Sequence, residues 1–195
     1  MAAAPPNEIH QLHLHQLATF IRESGQILAD WDTYSDEHCD PYGWPLDEYA
    51  YGLRSRRRDA DTWRSFNRVR HCAKDLLTAA KDQGRRLPAS RFQPQWTWAL
   101  SDLGTALDEI DAHQAQWLTV RAALPLTARP GTEEYDEPLA ERNTEAWQSL
   151  ATWVLYGRAV LDIHAAAHQP LRRPPAPARA KAAPFAVPRP SVARR

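Results

Sequence analysis

The chain has 195 residues, of which 43% are hydrophobic and 25% charged, so it can bury a core that suits one domain. Seven glycines are few for a sheet-rich fold with many tight turns, and no apolar run approaches the roughly 18 residues that a membrane span requires. The two cysteines form no CxxC pair and the start of the chain lacks a basic segment followed by an apolar one, so we expect a reduced, cytoplasmic protein.

Four segments with helical periodicity follow one another along the chain, at about 8–31, 46–83, 95–124 and 138–168. A proline stands near the start of each segment, where helices tolerate it best. The third segment is the most regular, with large apolar residues every seven positions: Trp96, Leu103, Ile110, Trp117 and Leu124. This spacing is typical of helices that pack along a coiled-coil-like seam. The pattern predicts an all-α fold, an antiparallel up-down-up-down four-helix bundle over 1–169.

The last 26 residues, 170–195, have a different composition, dominated by proline, alanine and arginine. They contain seven Lys and Arg residues and no acid, a charge of +7, which leaves −7 for the rest of a chain whose formal net charge is zero. Such a segment cannot bury a core of its own, so it is predicted to be a disordered basic C-terminal tail. It is a candidate for binding a protein partner, a nucleic acid or the acidic body of the same chain.

Histidines concentrate near the start of the first predicted helix and the end of the fourth, which meet at one end of an up-down-up-down bundle. Those on the apolar faces are His10, His13, His164 and His168. Imidazoles four residues apart on a helix form a chelating pair, and a second helix would complete a tetrahedral site for zinc, nickel or iron. The alternative is that they are polar residues at a wet helix end, in which case no cofactor is expected.

The stretch "HAAAHQPLRR" at 164–173, together with a histidine on the second helix, resembles the DinB-like metal-binding four-helix bundles. The resemblance implies a metal-dependent enzyme with His71, His164 and His168 as ligands. Helical geometry, however, turns His71 about 160–170° away from the apolar face of its helix, toward solvent. Cys72 beside it falls at the edge of the apolar face and is expected to be inert packing.

Two further groups of residues suggest binding surfaces. A basic stripe on the second helix and the first cations of the tail offer contacts to phosphates or to a partner: Arg54, Arg57, Arg64, Arg68, Arg172 and Arg173. Asp61 and Asp75 interrupt the stripe, so it is alternatively a self-paired, solvated helix face. Trp63, Trp96, Trp117 and Trp147 are predicted to lie in the core, whereas Trp44 and Trp98, if exposed, would mark a partner surface.

No phosphate-binding loop, nucleotide fingerprint or nucleophile motif occurs in the chain. The loop "SDEHCD" at 35–40 groups metal-binding residue types without a recognised ligand spacing. We therefore expect a non-catalytic helical interaction or accessory protein that presents its surface and tail to an unidentified protein partner. A metal-binding protein or enzyme and a nucleic-acid-associated protein are the alternatives. The sequence leaves the oligomeric state open.

Overall fold

A computed structural model describes residues 6–169, and this part of the chain is all-helical, without a β-strand. The helices in chain order are α1 (Pro6–His38), α2 (Glu48–Arg70), α3 (Ala73–Arg86), α4 (Gln95–Ala123), α5 (Glu133–Glu145), α6 (Trp147–Tyr156) and α7 (Arg158–His168). No helix within 6–169 is both long and apolar enough to cross a membrane. The predicted basic tail, with Arg172 and Arg173, lies outside the described residues.

The second and fourth predicted helices are each interrupted. The second divides into α2 and α3 at residues 71–72, and the fourth divides into α5, α6 and α7 at Ala146 and Gly157. The fourth also begins earlier than its proline suggests, because Thr132 precedes a first turn with three acids, which favour the positive end of a helix dipole.

The first helix is longer than the apolar pattern indicates and ends at His38 rather than near residue 31. Its last turns are aromatic: the ring of Tyr34 stacks on that of His38 with centroids 4.0 Å apart, and Trp31 meets Tyr51 of α2 edge-to-face at 4.8 Å. Ring contacts of this kind stabilise helical turns that lack a regular apolar stripe.

The core is formed by the inward faces of six helices: α1, α2, α3, α4, α6 and α7. Its largest fully buried side chains are Trp153, Phe20, Phe66, Leu17, Leu76, Leu103, Ile110, Leu150 and Ile163. Helix α1 packs along α2 and also touches α3, α6 and α7, while α4 packs on α6, α3, α5 and α7. Trp63, Trp96 and Trp117 are buried, which confirms that prediction, and Trp147 is half-buried.

Tryptophan rings also contact the side chains of two arginines, Arg58 and Arg142. The Arg58 guanidinium lies between the rings of Trp31 and Trp147, 4.3 and 3.8 Å from their centroids. The Arg142 guanidinium lies 3.6 Å above the ring of Trp63. Both arginines stack on aromatic faces that attract a cation, so several of the eight tryptophans act as partners of charge as well as core residues.

Candidate metal centre

The site begins with the bend between α2 and α3, where His71 and Cys72 connect the two helices. Cys72 has φ −119° and ψ 0°, a conformation outside the regular helix, and its N–H donates to the Val69 carbonyl at 2.9 Å. Its thiol donates to the same carbonyl at 3.2 Å. The α-helical hydrogen bonds resume with the N–H of Leu76, which donates to the Cys72 carbonyl. The bend therefore places two neighbouring side chains beside α1.

Helix α1 contributes His13 to the same place. The rings of His13 and His71 meet edge-to-face with centroids 5.5 Å apart, and one ligand atom each from His13, His71 and Cys72 lie within 4.8 Å of one another. Gln16, on the next turn of α1, has its Oε1 3.9 Å from the Cys72 sulfur. Two imidazoles and a thiol, with an amide oxygen beside them, form a donor set that suits zinc and similar ions.

This cluster is buried on one side and open on the other. Cys72 is 1% exposed and burial raises the pKa of its thiol to about 11, so the free thiol stays protonated at neutral pH. His13 is half-buried and His71 is exposed. A metal ion would enter from the His71 side and would displace the thiol proton, since only a thiolate ligates.

A second group of histidines lies nearby, where α7 ends beside the start of α1. The rings of His10 and His164 have centroids 5.2 Å apart, and those of His164 and His168 are 4.1 Å apart. Amide nitrogens of Gln11 and Gln83 lie 3.2 and 3.3 Å from the two ring nitrogens of His164. His168 Nδ1 lies 2.8 Å from the His164 carbonyl oxygen. Three ring nitrogens of this group thus already contact other polar groups, although a neutral His164 ring can accept a hydrogen bond from only one of the two amides.

His10 differs from the others because its Nε2 is buried and has no hydrogen-bond partner among residues 6–169. Burial lowers the pKa of His10, and the charges of His13 and His168 lower it further. Burial also lowers the pKa of His164, with His168 and His10 adding to the effect. Both imidazoles therefore favour the neutral form, which is the form that binds metals.

The predicted four-histidine set is divided between these two groups. His10, His164 and His168 lie together, whereas His13 joins His71 and Cys72. Among the residues that the structure describes, His71 shares a ligand cluster with His13 and Cys72, not with the pair on α7. The sequence predicted Cys72 to be inert packing because it falls at the edge of the apolar face of a continuous helix, and the bend at His71–Cys72 has no glycine or proline to reveal it.

The predicted basic stripe is partly paired with acids of the same chain. Asp61 pairs with both Arg57 and Arg64, and Glu23 pairs with Arg68. The Arg54 guanidinium lies 5.5 Å from the centroid of the Tyr34 ring. These contacts favour the interpretation as a self-paired helix face.

The remaining predicted positions lie elsewhere. Trp44 is 71% exposed and Trp98 is 48% exposed, although Trp98 meets the Tyr156 ring edge-to-face at 4.9 Å. The segment 35–40 is not the loop that the sequence predicted, because residues 35–38 form the last turn of α1. Cys39 contacts Ser35, and the Asp40 carboxylate accepts hydrogen bonds from two backbone N–H groups of the turn that follows.

A comparison of the chain with protein-family models, curated proteins and solved structures found no match.

Proposed function

We propose that this chain is a metal-binding protein that holds a zinc-class divalent ion through His13, His71 and Cys72. The single observation that supports the proposal is the convergence of these three ligand atoms within 4.8 Å, from two separate parts of the chain. Around a tetrahedral ion with bonds of about 2.0–2.3 Å, ligand atoms lie roughly 3.3–3.7 Å apart. Inward shifts of about 1 Å, within reach of small rotamer changes, would complete the geometry.

The donor types favour zinc over calcium or magnesium, because thiolate and imidazole are softer ligands than the oxygens those ions require. The fourth position belongs either to Gln16 or to water on the exposed side. Three protein ligands and a water are the arrangement of catalytic zinc sites, and four protein ligands are that of structural ones. The proposal therefore stands for a metal-binding protein of either kind.

The histidines of α7 form the runner-up site. His10, with its unpartnered Nε2, adjoins both groups and is the donor best placed to extend the site toward His164. Binding there requires the glutamine contacts of His164 to break, which makes the group less prepared for a metal than His13, His71 and Cys72.

The proposed site depends on an antiparallel four-helix arrangement, which we infer together with it. In this arrangement α2 and α3 form one bent unit, α5, α6 and α7 form another, and α1 and α4 are single helices. The support is that α1 packs along α2 and α3, and that α7 ends beside the start of α1.

Cobalt titration of the untagged, metal-free full chain under reducing conditions tests the proposal. We expect an absorption band from thiolate-to-cobalt charge transfer that saturates at one cobalt ion per chain. Adding zinc should displace the cobalt and remove the band. Cys72→Ser should abolish the band, and His13→Ala should weaken cobalt binding by about tenfold or more. The matched controls, Cys39→Ser and His15→Ala, should leave both unchanged.

Two results would contradict the assignment. One is the absence of cobalt and zinc binding in the wild-type chain. The other is binding that survives Cys72→Ser but is lost in the His164→Ala/His168→Ala double variant, which would move the site to α7. Circular dichroism of each metal-free variant separates loss of binding from loss of folding.

A further inference from the structure

The connection between α1 and α2 and the first two turns of α2 expose an unusual set of large apolar side chains. Five of them are at least half exposed: Tyr42 (88%), Trp44 (71%), Leu46 (70%), Tyr49 (77%) and Leu53 (51%). Single exposed apolar residues are ordinary, but five within twelve residues of chain are unusual and are typical of a binding surface. We refer to residues 39–53 as the aromatic corner.

The backbone of the aromatic corner is held by several hydrogen bonds. The Asp40 carboxylate accepts from the N–H groups of Tyr42 and Trp44 at 2.9 and 2.8 Å, and the Asp40 N–H donates to the Trp44 carbonyl at 2.8 Å. Gly43 takes φ +84°, which a residue with a side chain rarely adopts, and so allows the tight turn between them. The exposed rings are thus displayed by an ordered turn, which reduces the entropy lost when a partner binds.

The aromatic corner and the last turns of α1 before it are also strongly anionic. The sequence has no Lys or Arg between Arg22 and Arg54, but seven acids between 30 and 48. Six of these acids are exposed and take part in no ion pair within residues 6–169: Asp30, Asp32, Asp36, Glu37, Asp47 and Glu48. A partner should therefore combine apolar groups with positive charge.

The chain itself contains a segment with that chemistry. Residues 170–195 include seven prolines and seven Lys and Arg residues, with no acid. Proline-rich extended segments pack their rings on exposed Trp and Tyr, and arginine pairs with carboxylates and stacks on aromatic faces. We propose that the aromatic corner binds the segment 170–195 of this same chain.

The segment is long enough to reach. It follows Gln169 at the end of α7, beside the start of α1, and the aromatic corner follows the other end of α1. A 33-residue helix is about 50 Å long. Twenty-six residues can extend over roughly 80 Å, so the segment spans the distance with residues to spare.

The NMR chemical shift of the Trp44 indole N–H reports on the aromatic corner in the full chain. The signal is identified by its loss in Trp44→Phe. The comparison protein is a full-length variant whose seven cations in 170–195 are replaced by glutamine. We expect the Trp44 signal to differ between the two proteins at low salt and to coincide at high salt, since salt screens the charge attraction. Adding a synthetic peptide of sequence 170–195 to the variant should restore the wild-type position.

Surface variants test which side chains bind. In the glutamine background, Tyr42→Ala/Trp44→Ala should weaken peptide binding by about tenfold or more, measured by calorimetry, because exposed aromatic anchors dominate such interfaces. Trp98→Ala, at an exposed tryptophan on α4, is the matched control and should bind as before.

The outcomes separate the proposal from its rivals. A Trp44 shift independent of protein concentration identifies the segment of the same molecule, and a shift that grows with concentration identifies a second copy. Failure of the peptide to move the Trp44 signal overturns the proposal and leaves the corner to a different partner. Equal binding of a peptide with all its prolines changed to alanine also overturns it, because attraction of charge alone would then explain the contact.

Discussion

Arg142 shows at the scale of one residue how this molecule holds charge in its interior. The side chain is 8% exposed and donates to Gln114 Oε1 at 2.6 Å and to Asn143 Oδ1 at 2.7 Å. Within the described part of the chain it has no carboxylate partner, and burial, with repulsion from Arg70, lowers its pKa to about 10. Arg142 remains charged at neutral pH, so stacking on Trp63 and two neutral acceptors replace the missing acid.

Arg142→Lys tests this account, because lysine keeps the charge but loses the planar face and the two-pronged hydrogen bonding. We expect the free energy of unfolding in urea at pH 7 to fall by about 1–3 kcal/mol. Arg121→Lys, at an exposed position of α4, should change it by less than about 0.5 kcal/mol. Equal stability of the two variants would show that the stacked geometry contributes nothing.

The paired histidines His10 and His164 make stability depend on pH. Their pKa values lie below the ordinary value of 6.5 in the folded protein, so the unfolded chain takes up protons first as the pH falls. Their stabilising contribution is therefore present above pH 6.5 and is lost progressively as the pH falls through their folded pKa values.

Urea unfolding of the metal-free protein at about pH 7.5 and about pH 5 measures this loss of stability. The two pH values lie on either side of the ordinary pKa of histidine. His10→Gln/His164→Gln should lose less stability than the wild type between the two conditions. His15→Gln, on the exposed side of α1, should keep the wild-type pH dependence. A double variant with the full wild-type dependence would contradict the assignment.

At the scale of helices, the packing depends on the residues at the breaks between helices. Gly157 separates α6 from α7 in a helical conformation, but a Cβ at this position would lie 2.5 Å from the Trp153 carbonyl oxygen and 3.4 Å from the Ile21 side chain of α1. The close approach of the Trp153 carbonyl in the preceding turn, rather than an unusual φ, is what requires glycine here, since the α1 side chains lie at ordinary contact distance.

Gly157→Ala should therefore destabilise the protein by about 1–3 kcal/mol through steric overlap with the backbone of the preceding turn. Gly104 provides the opposite case within α4, because a Cβ there would meet only the end of the Lys81 side chain at 3.9 Å. Gly104→Ala should raise stability by up to about 1 kcal/mol through helix propensity. Thermal unfolding of both variants checks the pair; shifts of the same sign would contradict the steric account.

The sequence predicted helices well where apolar residues recur regularly, as in α4, which begins and ends within a residue of its predicted limits. It did not predict the bend at His71–Cys72 or the break at Ala146, because neither contains a residue that disfavours a helix. These breaks follow from tertiary packing, which a single chain's periodicity does not record. The grouping of Cys72 with two histidines depends on one such bend and was therefore missed.

At the scale of the whole molecule, charge and chemistry are separated by position. Most of the histidines lie toward the start of α1, and acids without an ion pair within residues 6–169 cluster toward its end. Most of the basic residues of α2 pair with acids of the same chain. Composition alone predicted the basic segment and the acidic body. It could not predict that the acids free to bind would be concentrated beside the exposed rings of Tyr42 and Trp44, since this depends on which acids the folded chain pairs internally.

Helix α1 gives this separation a fixed length. His13 and His38 are 25 residues apart on one uninterrupted helix, which corresponds to about 38 Å, several times the roughly 8 Å over which salt screens a charge. The charge of an ion bound at one end would therefore be screened by salt before it reached the other end. The protein is in this respect a spacer with two different chemical ends, and inserting one helical turn into α1 would lengthen it by about 5.4 Å.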